Sequence, residues 1–441
     1  MIATNNNSEM AKEDLIDKKT RMRALIASAV GSSVEWFDFF LYGTMAALVF
    51  NKLFFPSTDP YVSMMLSYVS FALAFLVRPI GGIIFSHIGD RIGRKKTLII
   101  TLSLMGLSTV AMGLLPNYET VGLWAPILLI ILRLLQGLSL GGEWGGGILL
   151  AVEYSPKNKR GFYGSIPQIG AMIGLSLASL FSSVLTTTLT EAQFLSFGWR
   201  IPFLLSIVIV LFGLWIRKGI GETPSFQKVA ASGKTVKVPL FETLTKHWKA
   251  VLTTIGAKFI ETSTFFIFAT FTISYAVGTV GYDKTVALNA ILIAAIVAIP
   301  AMMAAGALSD RIGRKKMYVA GTIAIMLYAI PYFWLISLKT TFALTIAIVI
   351  GFGIIWPMYG AVLGALFAES FSANIRYTGI SLGYMIGAAL VGGPAPLIAT
   401  ALLAKYNNSY IPVGIFIIVA GIVSLIAMAF TKDRTGRDLD D

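Results

Sequence analysis

Residues 90–96 read DRIGRKK, and the same seven letters return at residues 310–316. The offset is 220 residues in a chain of 441, so the two copies stand at equivalent places in two halves. An identity of this length at matching places indicates an internal duplication. Two further pairs repeat with the same spacing of seven positions, namely Glu153 with Arg160 and Glu369 with Arg376.

The composition around these repeats is that of a membrane protein. Hydrophobic residues make up 56% of the chain and charged residues only 13%, and the mean hydropathy is +0.78. Globular proteins carry about 45–50% apolar and about 25% charged residues. A soluble core cannot hide so much apolar surface, and a disordered chain needs the opposite composition. Soluble enzymes and disordered proteins are therefore excluded, and a protein with several membrane spans is predicted.

Cysteine is absent, and histidine occurs only at His87 and His247. Disulfides, thiolate chemistry and metal sites built on cysteine or on several histidines are therefore excluded. We expect no cofactor and no bound metal. The net charge of +13 does not indicate nucleic-acid binding, because the basic residues lie in loops between apolar segments, where they determine membrane topology.

Apolar segments long enough to cross about 30 Å of hydrocarbon follow one another from residue 24 onward. Residues 1–23 are polar and hold no cleavable signal peptide. The sequence predicts an all-α membrane protein with twelve transmembrane helices in two six-helix bundles. The predicted spans are 24–52, 62–86, 97–115, 121–152, 161–186, 198–217, 247–277, 286–308, 316–336, 340–368, 376–404 and 409–430.

Basic residues are distributed unequally between the two sides of the membrane. Of the 35 lysines and arginines, 27 fall on the side of both termini, five on the other side and three within spans. The positive-inside rule therefore predicts cytoplasmic termini in a multi-pass protein of the plasma membrane. Two duplicated bundles are the build of a secondary transporter, with the substrate between the halves. The predicted parts are a cytoplasmic segment (1–23), an N-terminal bundle (24–217), a cytoplasmic linker (218–246), a C-terminal bundle (247–430) and a cytoplasmic tail (431–441).

The two DRIGRKK copies resemble the loop motif of the major facilitator superfamily. That motif, Gly-x-Leu-x-Asp-Arg-x-Gly-Arg-Lys, is complete in the second copy, from Gly306 to Lys315. The first copy departs from it at its opening position, which is Ser86. The fourth-span motif of the superfamily, Arg-x-x-Gln-Gly, is present at residues 133–137. The resemblance implies two helical bundles that work by alternating access.

Within the superfamily the chain is most similar to the metabolite:proton symporter family. The first-span pattern of that family, Gly-x-x-x-Glu-Trp-aromatic-Asp-Phe-x-x-Tyr-Gly, occupies residues 31–43, and its Gly-Gly-Glu-x-Gly-Gly element occupies residues 141–146. The shikimate branch resembles the chain further at residues 191–202, EAQFLSFGWRIP, and in a basic residue three positions before a glutamate in span seven. We expect no counterpart of the C-terminal coiled coil found in some betaine and proline transporters, because the last predicted span ends eleven residues before residue 441.

This resemblance implies a proton-coupled importer of a small polar metabolite rather than an enzyme. The shikimate branch implies a hydroxylated monocarboxylate such as shikimate as the substrate. A proton symporter of a zwitterionic solute such as proline or betaine is the alternative, and an exporter ranks third. The expected partners are the substrate, protons and the lipid bilayer, and the protein is expected to function as a monomer.

Ionisable residues inside the predicted spans indicate function, because each costs roughly 2.5–3.5 kcal/mol at the bilayer centre. Glu35 lies eleven residues into span one, ~16 Å deep at 1.5 Å per residue, and Asp38 lies on nearly the same face. Together with Glu143 in span four, these carboxylates are the candidate proton carriers. The alternative for Glu35 and Asp38 is a static ion pair with Arg133.

Basic and aromatic residues in the spans are the candidates for substrate binding. A guanidinium fork suits a carboxylate, so Arg133 and the neighbouring Gln136 are predicted to contact an anion. Lys258 and Glu261 are the candidates in the second half, with a structural ion pair between them as the alternative. Arg78, near the cytoplasmic end of span two, is expected to snorkel or to cap a gate. The weaker aromatic candidates are Trp356, Tyr359 and Tyr384.

Charged residues of the repeated loops are predicted to form a gate at the cytoplasmic ends of the spans. The aspartates of DRIGRKK can accept hydrogen bonds from helix N-termini or from arginines of the same face. Such contacts latch one conformation and release in the other. The alternative is that these residues only fix the topology. The candidate gate residues are Asp90, Arg91, Arg94, Glu153, Arg160, Asp310, Arg311, Arg314, Glu369 and Arg376.

Overall fold

The computed structural model describes residues 18–92, 94–141, 148, 151–152, 155–218, 240–372 and 375–436. The regular elements of these stretches are helices, and no β-strand occurs among them. Most of the predicted linker, the first seventeen residues and the end of the predicted tail lie outside the described residues.

Six long helices form the first half of the described chain. They are α1 Lys18–Met45, α2 Pro60–Ile92, α3 Arg94–Gly113, α4 Trp124–Leu140, α5 Arg160–Thr188 and α6 Arg200–Lys218. Helix α1 continues through a π-helical turn, Ala46–Phe50, and a last turn, Asn51–Leu53. Shorter elements connect the long helices: Tyr118–Val121, the 3₁₀ turn Lys157–Lys159, Glu191–Gln193 and the π-helical turn Phe194–Gly198.

Six further helices form the second half, preceded by the short helix Leu240–Lys246. They are α7 Trp248–Phe266, α8 Lys284–Ile312, α9 Arg314–Ser337, α10 Thr341–Ile348, α11 Arg376–Gly387 and α12 Ile411–Phe430. Three of them continue through π-helical turns. Helix α7 runs on through Ile267–Phe271, Thr272–Ser274 and Tyr275–Val280, α10 through Val349–Ile355, Trp356–Gly360 and Leu363–Ala368, and α11 through Ala388–Gly392 and Ala395–Lys405.

These helices confirm the predicted fold class. Nine helices of the described chain are long and apolar enough to cross a membrane, and the number is ten when Glu191–Gly198 and Arg200–Trp215, which meet at 45°, are counted as one span. Two shorter apolar helices, Ile99–Gly113 and Trp124–Leu140, stand where the third and fourth spans are predicted. The remainder of the predicted fourth span falls mostly on residues outside the described part. Each of the twelve predicted spans therefore has a helix at its place.

The two halves share one irregular feature of the backbone. The π-helical turns Ala46–Phe50 and Ile267–Phe271 begin 221 residues apart, close to the 220-residue offset of the DRIGRKK copies. Turns of this kind are rare in helices and are frequently found at functional sites. A shared turn in the first helix of each half supports the duplication that the sequence predicts.

Packing between the halves runs mainly along two helix pairs. Helix α5 packs against α8, and α2 packs against α11. At one end of the first pair the backbones nearly touch, because a Cβ atom added to Gly161 would lie 2.4 Å from the carbonyl oxygen of Gly306. A Cβ atom on Gly306 would lie 2.6 Å from the carbonyl oxygen of Gly161. Only glycine allows this approach, so the end of α5 is joined closely to the end of α8.

Two faces of the molecule are referred to below. The basic face carries the close approach of α5 and α8 and the loop with Arg311 and Lys316, and the opposite face carries Lys52 and Lys284. Between the faces, the outer surface is apolar, as lipid contact requires. Among its most exposed large side chains are Leu107, Leu114, Trp215, Leu327, Phe342 and Phe430.

Candidate functional site

A chain of hydrogen bonds links Asp38 to Arg133 in the first half. The hydroxyl of Thr109 donates to Asp38 Oδ2 at 3.0 Å and accepts from Gln136 Nε2 at 2.9 Å. The other amide atom, Gln136 Oε1, accepts from Arg133 Nη1. The predicted alternative of an ion pair between Asp38 and Arg133 is therefore replaced by a relay through two neutral side chains. Thr109 was not among the predicted site residues, although its hydroxyl lies in the middle of an apolar span and could have indicated a polar contact there.

The guanidinium of Arg133 keeps donors that nothing in the described chain uses. The residue is fully buried, and its Nε and Nη2 have no hydrogen-bond partner among the described residues. Its Cζ lies 4.0 Å from the ring centroid of Tyr42, 4.3 Å from that of Phe39 and 5.1 Å from that of Phe71. Aromatic faces attract a cation but do not accept its hydrogen bonds as an anion does. Arg133 is thus prepared to bind an anionic group.

The second half holds a different pair of charges, both on α7. Lys258 donates to Glu261, and the hydroxyl of Thr262 donates to Glu261 Oε2 at 2.7 Å. The ammonium group also lies 4.0 Å from the ring centroid of Tyr384. The indole of Trp356 donates to the backbone carbonyl of Glu261 at 3.0 Å. The structure therefore contains the ion pair that was the predicted alternative for Lys258 and Glu261.

The remaining aromatic candidate, Tyr359, shares a hydrogen bond of 2.9 Å with the hydroxyl of Thr264 and is fully buried. It packs edge-on against Trp356, at 6.2 Å between ring centroids. The four candidate residues of α7 and α10 thus lie together around Glu261. No group of three or more His, Asp or Glu side chains that could hold a metal ion occurs in the described part of the chain.

Arg78 differs from its expected position at the membrane surface. The residue is 4% exposed, and its Cζ lies 4.3 Å from the ring centroid of Phe75 and 4.7 Å from that of Phe39. It interacts electrostatically with Glu35, which is also buried. The expectation of snorkelling is wrong, because the neighbouring helices enclose the guanidinium before it can reach the polar surface. Glu143, the third candidate proton carrier, lies outside the described residues.

On the basic face a carboxylate of the second half caps a helix of the first half. Asp310, near the end of α8, accepts from the backbone N–H of Gly161 at 2.8 Å and from that of Phe162 at 3.0 Å. These are among the first N–H groups of α5, which have no partner within the helix and which carry the positive end of its dipole. Arg314 Nη1 donates to the same carboxylate at 2.9 Å. The predicted acceptance from a helix N-terminus is therefore observed across the two halves.

Other predicted gate residues surround this contact. Arg314 Nε donates to both carboxylate oxygens of Glu369 at 2.9 Å, and Arg376 Nε donates to the backbone carbonyls of Ala368 and Phe371. Burial raises the pKa of the Glu369 carboxyl above its ordinary value, while the charges of Arg314 and Arg160 oppose that shift. Arg311 is exposed and lines an open cleft on the basic face. Glu153 and the side chains of Asp90, Arg91 and Arg94 lie outside the described part.

The opposite face also carries contacts between the halves, and those of Glu191 were not predicted from the sequence. Glu191 Oε1 accepts from Lys52 at 3.1 Å within the first half and from Lys284 at 2.9 Å across to the second. The side chain of Glu191 is 60% exposed. Two further pairs join α5 to α8 on this side, Ser183 with Asn289 at 2.6 Å and Thr186 with Thr285 at 3.0 Å. Residues so far apart in sequence gave no spacing pattern to find them.

Comparison with known proteins yields one family and several relatives. A family model described as Major Facilitator Superfamily matches residues 28–392. The shikimate transporter of Escherichia coli (strain K12) is 38% identical over 414 residues, which are 93% of this chain and 94% of that protein. The proline/betaine transporter of the same strain is 35% identical over 437 residues, 96% of this chain and 86% of that protein. A crystal structure of a D-xylose-proton symporter has a TM-score of 0.74 at 17% identity, covering 94% of this chain and 99% of that one.

Asp310→Asn is expected to loosen the contact of α5 with α8 on the basic face. The change removes the charge that two backbone N–H groups and Arg314 share, and one hydrogen bond to a charged group contributes about 1.5–3 kcal/mol. The native chain has no cysteine, so Ser165→Cys, a fully buried position beside Gly306, reports opening of this face. Maleimide labelling of that cysteine should accelerate by about tenfold or more.

The matched control for this change is Asp283→Asn. Asp283 also caps a helix, but it caps α8 of its own half, on the opposite face. It should leave the labelling rate of the Ser165→Cys reporter unchanged. Equal labelling in Asp310→Asn and in the parent would show that the cap does not hold the halves together.

On the opposite face, Lys284→Gln should favour separation of the halves, whereas Lys52→Gln should not. Both lysines donate to Glu191, but only Lys284 belongs to the second half. An exposed ion pair contributes about 0–1 kcal/mol. In Lys284→Gln, maleimide labelling of a buried reporter cysteine should therefore accelerate by up to about fivefold, and the acceleration should disappear at high salt. The reporter is Ser179→Cys, one turn before Ser183 and fully buried, with no hydrogen-bond partner for Oγ among the described residues. The same acceleration in both lysine variants would contradict the assignment to a cross-half bridge.

Proposed function

Since the chain belongs to the major facilitator superfamily, we propose that it imports a small hydroxylated monocarboxylate such as shikimate together with protons. The resemblance seen in the motifs is confirmed by the family match and by the curated relatives. The chain is a multi-pass membrane transporter rather than an enzyme. The substrate, the coupling ion and the direction of transport are the proposed part, and the open donors of Arg133 carry the proposal.

A carboxylate that enters a low-dielectric cavity must exchange its water for hydrogen-bond donors. Leaving a buried charge unpaired costs several kcal/mol, so an anionic substrate needs a cation with free N–H groups. Arg133 has two such nitrogen atoms, Nε and Nη2, whereas Lys258 is already paired with Glu261. The proposal therefore assigns the carboxylate to Arg133 and Gln136, and the hydroxylated part to Lys258, Glu261, Trp356, Tyr359 and Tyr384.

Proton coupling is assigned to the carboxylates of the first half. Asp38 is fully buried, and its Oδ1 has no hydrogen-bond partner among the described residues. Its link to Arg133 passes through Thr109 and Gln136. A substrate that binds Arg133 therefore competes with the hydrogen bonds that connect Asp38 to this cation. A carboxylate that loses a compensating cation tends to take up a proton. Glu35 and Glu143 remain candidates for the same role.

Alternating access requires that the two faces part in turn. We assign the gate on the basic face to the contacts of Asp310, Arg314 and Glu369. Because the sequence repeats between the halves, we assign the same role in the first half to Asp90, Arg94 and Glu153. The bridge from Glu191 to Lys284 belongs to the opposite gate. The contact of Asp310 with α5 and the contact of Glu191 with Lys284 both join the halves here, and each has to break for its side to open.

The basic face is assigned to the cytoplasm. By the order of the spans in the sequence, 27 of the 35 lysines and arginines fall on the side of both termini, which is the side of this face and supports the positive-inside orientation. The proposed location is the plasma membrane, with both termini cytoplasmic and one chain as the working unit.

A zwitterionic solute such as proline or betaine is the second candidate. The relative at 35% identity is a proline/betaine transporter, and the chain spans 86% of its length. The pair of Lys258 and Glu261 offers one group of each sign, which suits a zwitterion. Aromatic faces near it, with Trp356 and Phe265 at 5.0 Å between ring centroids, suit a quaternary ammonium group.

Binding in detergent separates an anionic from a zwitterionic or neutral substrate. Shikimate should bind the native chain at least tenfold more tightly than methyl shikimate, because the ester cannot carry the charge that Arg133 compensates. Arg133→Gln should weaken shikimate binding by ~2–5 kcal/mol, the usual loss when one partner of a buried charge pair is removed. Isothermal titration calorimetry gives both values. If the ester binds as tightly as the acid, the carboxylate is not held as an anion, and the zwitterion reading takes first place.

Coupling is tested by removing one titratable group at a time. Asp38→Asn and Glu35→Gln nearly keep the side-chain shape, so at least one should abolish accumulation of shikimate against its gradient while exchange across the vesicle membrane continues. Exchange needs no net proton movement, and it therefore serves as the internal control for folding and binding. Normal accumulation by both variants under a pH gradient would remove the proton assignment from α1.

A further inference from the structure

A second buried guanidinium stands at the same place as the proposed substrate site. We propose that Arg78 binds the substrate carboxylate together with Arg133, so that the anion site consists of two guanidinium groups around Phe39. The inference rests on the proposed function, because it names a further residue for the anionic end of the same substrate.

Neighbouring helices fix Arg78 at the boundary of the two halves. One turn further along α2, a Cβ atom on Gly81 would lie 1.9 Å from the backbone carbonyl oxygen of Leu138, so α2 and α4 are in direct backbone contact. A Cβ atom on Gly82 would lie 3.0 Å from the side chain of Met385 in α11. The ring of Phe75, one turn before Arg78, packs on Gly393 of the same helix of the second half. A ligand held by Arg78 therefore lies where α2 of one half meets α11 of the other.

The surroundings of Arg78 leave one of its hydrogen-bond donors, the Nε–H group, without an acceptor in the described chain. Its Nε has no hydrogen-bond partner among the described residues, and the rings of Phe39, Phe75 and Trp36 surround its Cζ at 4.7, 4.3 and 5.9 Å. Cation–π contacts stabilise a buried cation by about 0.5–2 kcal/mol, which is less than the several kcal/mol that burial of an ion costs. The nearby charge of Glu35 offsets part of this cost, but the Nε–H group of Arg78 has no acceptor in the described chain until an anion binds.

Like charges converge on this region. Arg78 acts electrostatically on Arg133 and on Lys258, both with the same sign of charge. Both guanidinium carbons lie within 4.7 Å of the centroid of Phe39, so they are at most about 9 Å apart. A small organic acid beside Phe39 can reach both. Repulsion between buried cations is relieved when an anion binds between them.

The test combines two ligands with two variants. Shikimate and methyl shikimate are titrated into the native chain and into Arg78→Gln in the same detergent. If Arg78 contacts the carboxylate, Arg78→Gln should weaken the binding of shikimate at least 30-fold and the binding of methyl shikimate less than threefold. Equal weakening of the two ligands, or no weakening of either, would overturn the inference. Binding of the ester also reports that the variant is folded.

Arg78→Lys keeps the inference testable where Arg78→Gln fails to fold. Lysine retains the charge but not the planar fork, so shikimate should bind at least fivefold more weakly while methyl shikimate is unchanged. Unchanged shikimate affinity would overturn the inference. Arg133→Gln separates this result from the proposed function. If Arg133→Gln weakens the binding of shikimate but not of methyl shikimate, and Arg78→Gln shows no such difference, only the assignment of Arg78 is overturned. If the native chain binds shikimate and methyl shikimate equally well, the assignments of both arginines are overturned.

Discussion

A charge buried in a membrane protein has to be compensated inside the protein, and this constraint organises the centre of the molecule. Lys258 and Glu261 compensate each other directly, one turn apart on α7. Asp38 and Arg133 are connected only through Thr109 and Gln136, and each keeps a polar atom without a partner in the described chain. The second half therefore holds a closed pair and the first half an open one. An anionic ligand completes the open pair, which is why binding of the carboxylate and protonation are assigned to the first half.

The same reasoning distinguishes the two faces. On the basic face a carboxylate that is 7% exposed accepts from backbone N–H groups of α5 and from Arg314. On the opposite face the carboxylate of Glu191 is 60% exposed and meets two lysines. Charge-assisted hydrogen bonds in a buried place are worth several times an exposed ion pair. We therefore expect the basic face to hold more firmly, so that the carrier without substrate opens more readily on the opposite face.

The fold and half of the site were predictable from the sequence because they depend on local spacing. Span length placed α8 and α12, the offset of DRIGRKK gave the two halves, and the three-residue spacing put Lys258 beside Glu261 on one helix face. Contacts between helices were not predictable in this way. Thr109 joins α1 to α4 from a third helix, and Asp310 meets Gly161 at a separation of 149 residues. Depth along a helix placed Arg78 near the surface, but only the packing of α2 against its neighbours shows that aromatic rings enclose it.

The central claim is that a proton gradient drives uptake of an anionic substrate, and proteoliposomes test it most directly. The purified chain is reconstituted into vesicles with an alkaline interior, and uptake of labelled shikimate is followed with and without a protonophore. The account predicts that shikimate accumulates inside above its external concentration and that the protonophore abolishes the excess. Uptake that stops at equal concentrations with the gradient intact, or accumulation that survives the protonophore, would contradict proton-coupled import.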